Sequence, residues 1–312
     1  MINRRHIRIK VMQSAYALMI AENDQLDIQE KYLIQSIERL HQLYILQLQL
    51  MGAILELAQQ HFEKAKHRFI AHNSLKDTNP NFVNNKLLQQ LKSSPSLQEL
   101  KEDKSRIQWA EHREIIEIIW EKIRESGSYE SYQQLESPGY KEDKKFLIRI
   151  YKKVIAPSDT LYDFYEDAVI SWADDIPFVN TWVLANLNGM KQGSTFYPDV
   201  LYKEPADKDF ALELFRKTIL NFAKYEKDID THTPNWDSTR ITKIDKLLMV
   251  MAISEFYHFP SIPTKVSINE YIEIAKDYAT HKSSYFINGV LDKLLTMYQK
   301  EGKIEKIGRG LL

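Results

Sequence analysis

A chain of 312 residues with 42 Lys+Arg against 43 Asp+Glu is close to neutral, and its 44% hydrophobic content excludes a mostly disordered polypeptide. It has no cysteine, which excludes disulfide scaffolds, zinc knuckles and thiol catalysis and fits a cytoplasmic protein. A net charge of −1 excludes a general nucleic-acid coat, so any binding to nucleic acid must come from a local patch. No apolar run approaches the ~20 residues of a transmembrane helix, and the basic N-terminus lacks the apolar core of a signal peptide.

The first predicted helix opens with "NRRHIRIK", which places Arg4, Arg5, Arg8 and Lys10 ahead of the first acid, Glu22. On a helix Arg4 and Arg8, and Arg5 and Arg8, share a face, while Met12, Ala15 and Met19 point inward. Basic residues oppose the partial positive charge of a helix N-terminus, so the cluster makes more sense with an anion bound. Guanidinium groups grip phosphates bidentately, and Tyr16 or Phe286 could stack on unpaired bases. A solvated helix end explains the same residues equally well on this ground alone.

From Asp27 the apolar positions Leu33, Ile37, Leu40, Tyr44, Leu48, Met51, Leu55, Ala58, Phe62, Ala65 and Phe69 recur at steps of three and four. They predict one long amphipathic helix over 27–70, or two sharing a register, facing a core or else a coiled-coil partner. Polar stretches near 72–82, 93–106, 126–139 and 191–206 read as loops. Helices are predicted between them at about 83–92, 107–125, 140–155, 159–173 and 176–189, with Asp174-Asp175 capping the last. No sustained two-residue alternation and no Asn-Gly or Asp-Gly hairpin turn appears, so the fold class is all-α.

Residues 207–230 predict a helix with Leu212, Phe215, Ile219 and Phe222 on one side. "KIDKLLMVMAISEF" is apolar all round from Leu247 to Ile253 and reads as a buried central helix ended by Pro260 and Pro263. Ser267 and Glu270 predict a capping box for the next helix. The last helix starts near Ser283 and carries Phe286, Val290, Leu294 and Met297, with Gly289 marking a close helix crossing. The segment after Gly302 should fray.

Enzyme signatures are thin. The nine glycines build neither GxxxxGKS/T nor GxGxxG, and HExxH and Gly-x-Ser-x-Gly do not occur. Glu38–His41 and Glu255–His258 are both Glu-x-x-His, the motif that di-iron bundles use in pairs, but two letters arise readily by chance. No catalytic residue, metal or cofactor is expected.

The stretch "PTKVSINEYIEIAKDYATHKSSYFINGVLDKLL" closely resembles the C-terminal part of the NusB family of bacterial transcription antitermination factors. Pro263, Lys265 to Glu270 and Phe286 to Lys293 carry the match; "KLLMVMAISE", "LELFRKTI" and "RRHIRIKVMQSAY" fit further family segments. Residues 1–22 and 207–297 are covered, leaving 23–206 as an enlargement of the N-terminal half. His6 stands where the family often has arginine, and Lys282 where an acid often precedes the last helix.

The resemblance implies an all-α bundle of two subdomains, here an enlarged N-terminal one at 1–206 and a C-terminal one at 207–300, with a tail at 301–312. It implies no catalysis, binding to boxA-like single-stranded RNA of ribosomal leaders with the ribosomal protein NusE, and entry into the elongating RNA polymerase complex. Carried onto matching positions, it places RNA on Arg4, Arg5, Arg8, Lys10, Gln13, Tyr16, Lys282 and Phe286, and NusE on Asp245 and Glu255. The alternative is a helical protein-interaction scaffold in ribosome biogenesis without direct RNA binding, with a di-iron enzyme as a remote third reading.

Overall fold

The computed structural model describes residues 1–21, 25–67, 79–103, 106–233, 241–280 and 282–311. Its helices are α1 (Arg4–Ala21), α2 (Leu26–His67), α3 (Lys86–Lys92), α4 (Pro95–Glu102), α5 (Arg113–Glu125), α6 (Gly127–Gln133) and α7 (Tyr140–Ile150). They continue with α8 (Asp159–Ala168), α9 (Trp172–Gly189), α10 (Ala206–Leu220), α11 (Phe222–His232), α12 (Lys243–His258), α13 (Thr264–Tyr278) and α14 (Ser283–Lys300). The fold is all-α; among the described residues the one extended pairing is an isolated bridge between Ile2 and Tyr202.

The chain divides into two compact units, a terminal one of residues 1–37 and 201–312 and an inserted one of residues 38–200. This differs from the sequence-based division at 206/207, which groups the first helix with the enlargement. The reason is packing: α1 buries Ile7, Val11, Met12, Ala15 and Leu18 and lies against α10, α12 and α13.

In the terminal unit, α12 is the hub, in contact with α1, α10, α11, α13 and α14. Every side chain from Leu247 to Ile253 is fully buried, as its all-round apolar sequence requires. Each large one contributes roughly 1.5–3 kcal/mol of transfer free energy. Thr242 caps this helix: its hydroxyl accepts from the Asp245 amide at 3.1 Å, and Asp245 Oδ2 accepts from the Thr242 amide at 3.2 Å.

Several local expectations differ from the structure here. The helix over 207–230 is two, broken at Asn221, whose side-chain amide donates back to the Lys217 carbonyl at 2.9 Å. The buried face of α10 is Phe210, Ala211, Leu214 and Phe215, so Leu212 and Ile219 stand at its margin. The Ser267–Glu270 capping box does not form. Helix α13 starts earlier, at Thr264 after Pro263, and both side chains are drawn to residues of other helices. Gly289 is exposed with no atom within 4 Å of where a Cβ would sit, so it marks no close crossing. The tail, expected to fray, ends in a 3₁₀ turn at Gly308–Leu311 and is held by hydrogen bonds to the end of α12.

In the inserted unit the α2 stripe is core. Leu40, Tyr44, Leu48, Met51, Leu55 and Ala58 are buried here, as Leu33 and Ile37 are in the terminal unit. Phe62 and Ala65 are half-buried, and Phe69 lies outside the described residues. Two short helices, α4 and α6, occupy stretches that read as loops. Ser94 caps α4 with Pro95 at its first position, and Ser126 caps α6, so the polar residues that look like loop are helix starts. Aromatic packing joins the rest: Tyr132 stacks on Phe146 at 3.9 Å, and Tyr44 on Trp182 at 4.1 Å. Asp174 and Asp175 lie in the first turn of α9, where carboxylates suit the helix dipole.

Candidate nucleic-acid interface

The arginines of α1 meet carboxylates from far along the chain. Arg4 Nε donates to Asp207 Oδ1 at 3.0 Å. Arg5 forms a fork on Glu270, Nε to Oε2 at 2.8 Å and Nη2 to Oε1 at 2.9 Å. Arg8 forms a second fork on Glu255, Nε to Oε1 at 2.5 Å and Nη2 to Oε2 at 2.9 Å. Glu255 also accepts from Ser267 Oγ and Tyr271 Oη, both at 2.7 Å.

Exposure sorts these pairs. Arg8 is 2% exposed and Glu255 fully buried, whereas the side chains of Arg4 and Arg5 keep about 40% of their surface in solvent. Burial alone would lower the Arg8 pKa, and the attraction of Glu255 outweighs it, so the guanidinium is held charged. Arg8 and Glu255, expected as an RNA and a NusE contact, therefore face each other inside the bundle and not the solvent. Lys10 is likewise buried, at 2% exposure, because α1 turns that side toward the bundle. Asp245, also expected as a NusE contact, is 3% exposed and caps α12. Glu255 is saturated by Arg8, Ser267 and Tyr271, and His258 Nε2 lies 3.1 Å from Tyr225 Oη, so neither holds a side chain open for iron. Among the described residues no three His, Asp or Glu side chains converge as metal ligands.

The surface that remains runs along α13 to α14. Beyond Glu270, Glu273 pairs with Lys276, and Arg5 is near enough to help lower the Glu273 pKa, after Lys276 itself. Lys276 then lines a cavity of about 570 Å³ with Ile272, Ser284, Tyr285 and Asn288. Lys282 is exposed at the start of α14, Phe286 and Gln13 are half-buried, and Tyr16 is exposed. The prominent ring is Tyr285, 76% exposed, which the sequence reading missed. Its signal was present: the buried stripe is Ile287, Leu291, Leu294 and Tyr298, and two residues before Ile287 is about 200° round the helix.

His6 has a consequence for pH. Burial first, then the charges of Arg5 and Lys10, push its pKa down to about 4, so it is neutral at pH 7. An Nδ1–H would donate to Asn3 Oδ1 at 2.8 Å. Between about 4 and the ordinary histidine value of 6.5 the unfolded chain binds this proton and the folded chain does not. Stability contributed by neutral His6 is thus complete above 6.5 and is lost as pH falls toward 4. Denaturant titrations across that window should show a slope that His6→Gln reduces; an unchanged slope would refute the assignment.

The terminal unit is in class an all-α bundle around one apolar helix, with paired arginines and an exposed aromatic edge on its rim. Residues 193–296 match the NusB family model, starting close to where the terminal unit resumes. Among curated proteins, transcription antitermination protein NusB of Salinibacter ruber is 42% identical over 112 residues, 36% of this chain and 70% of that protein. NusB of Chloroherpeton thalassium is 41% identical over 115 residues, 37% of this chain and 54% of the relative. NusB of Natranaerobius thermophilus is 40% identical over 84 residues, 27% of this chain and 60% of the relative. This chain belongs to the NusB family, the family of transcription antitermination proteins, and the remainder of its length is extra. No solved structure matches it significantly. Among the described residues no helix is long and apolar enough to cross a membrane.

Proposed function

We propose that the protein is a non-catalytic, cytoplasmic transcription antitermination factor that binds boxA-like single-stranded RNA with NusE and joins the elongating RNA polymerase. The observation that carries this is the family match over 193–296, which takes in α10 to α13 and most of α14. The RNA surface we assign is Arg4 and Arg5 on α1, Lys276 on α13, and Lys282, Tyr285 and Phe286 on α14, with Gln13 and Tyr16 beside Arg4 and Arg5 in sequence. Arg4 and Arg5 are exposed enough to offer N–H groups to phosphate while held in place by Asp207 and Glu270. The NusE partnership rests on family membership and no longer on Asp245 or Glu255. The scaffold alternative depended on an exposed apolar strip along α2, and the burial of Leu33 to Ala58 removes that support.

The test is an anisotropy titration with a labelled boxA-like RNA, with and without NusE. Saturable binding that NusE tightens is expected. Tyr285→Ala should weaken binding by roughly 1–3 kcal/mol with the salt dependence unchanged, as loss of a stacking platform does. A protein that fails to bind this RNA in either condition overturns the proposal.

A further inference from the structure

The tail after Lys300 is built into the terminal unit. Lys306 Nζ donates to the carbonyls of Glu255 and Phe259, at 3.2 and 2.9 Å, and the Ile307 amide donates to the Pro260 carbonyl at 3.1 Å. Gly310 then lies so close to Pro260 that a Cβ there would stand 1.9 Å from the Pro260 oxygen. Only glycine fits this seat, and the seat delivers Arg309 to a cleft of about 680 Å³ shared with Arg4, Arg5, Pro263 and Val266.

Charge in this cleft is nearly cancelled. Arg4, Arg5 and Arg8 are matched by Asp207, Glu270 and Glu255. Arg309 is exposed and, among the described residues, has no hydrogen-bond or ion-pair partner. Beside it Val266 is 44% exposed, an apolar shelf at the start of α13. One free guanidinium next to one apolar shelf matches the single phosphate and single base of a nucleotide. An acidic peptide would bring carboxylates but no flat face to lay on that shelf.

We propose that Arg309, carried by the docked C-terminal tail, binds a phosphate of the bound RNA while an adjacent base lies on the Val266–Pro263 shelf. The tail lies beyond the family-matched region, and the inference rests on the RNA-binding reading above. The experiment is a salt-dependent titration of boxA-like RNA against the full chain and four variants, with NusE binding measured in parallel.

Arg309→Ala should weaken RNA binding roughly 3- to 10-fold at moderate salt and flatten the log–log salt slope by about 0.7, the value for one phosphate on a single strand. Arg309→Lys should retain the slope. Gly310→Val, which unseats the tail, should reproduce the Arg309→Ala loss, and combining the two should add nothing further. Circular dichroism should stay at the wild-type spectrum for both Arg309 variants. If wild type binds RNA and Arg309→Ala binds it with the same affinity and slope, this inference fails while the RNA-binding reading stands. A loss of NusE binding with RNA binding intact would make the cleft a protein surface and also overturn it. No RNA binding by wild type, with or without NusE, overturns both.

Discussion

Arg8→Ala is expected to destabilise the terminal unit by about 3–5 kcal/mol, the range for removing one partner of a buried ion pair. The substitution leaves the fully buried Glu255 side chain without its guanidinium, keeping two hydrogen bonds from the Ser267 and Tyr271 hydroxyls and the more distant charge of Lys306. The desolvation penalty of that side chain then loses its largest compensation. Replacing both partners, as Arg8→Met with Glu255→Leu, should recover most of the loss, because the penalty disappears together with the attraction. Urea denaturation of the three proteins measures this. The contrary outcome is an Arg8→Ala protein of wild-type stability whose RNA salt slope is flattened by about 0.7, which would return Arg8 to the phosphate-binding set.

Arg8 shows where sequence reasoning stops. A run of basic residues on one helix face announces positive charge and says nothing of what meets it. Here the partners lie 203, 247 and 265 residues away, so only the fold could convert an apparent RNA grip into one buried and two half-exposed pairs. The same carboxylates explain the failed capping box: Ser267 and Glu270 have the right local spacing, but Glu255 takes one and Arg5 the other. What was legible depended on burial pattern alone. The all-round apolar Leu247–Ile253 segment reads as a central helix and is one, and the three-and-four spacing from Leu33 to Ala58 marks a buried face, although Leu43, Ile45 and Leu46 are buried on α2 as well. Tyr285 falls between these cases. Its position off the α14 stripe is readable in the sequence, whereas its neighbour Phe286 carries the family resemblance on a half-buried ring.

Trp172→Ala should have a comparable effect on the inserted unit, about 3–5 kcal/mol, the range for deleting a buried aromatic side chain. Trp172 is 2% exposed at the start of α9; its indole N–H donates to the Arg39 carbonyl at 2.8 Å, and its ring meets Tyr165 edge-on at 6.2 Å. Truncation forfeits that hydrogen bond and opens a void between α2, α8 and α9, with Tyr165 fully buried beside it. Limited proteolysis should then cut within 38–200 sooner than in wild type, while Trp172→Phe, which fills most of the volume, should stay closer to wild-type resistance. The RNA surface assigned above lies wholly in the terminal unit, so Trp172→Ala should leave boxA-like RNA affinity within about twofold of wild type as long as that unit remains folded. An affinity loss of about tenfold or more, with residues 1–37 and 201–312 still protected, would mean that the inserted unit itself carries part of the RNA site.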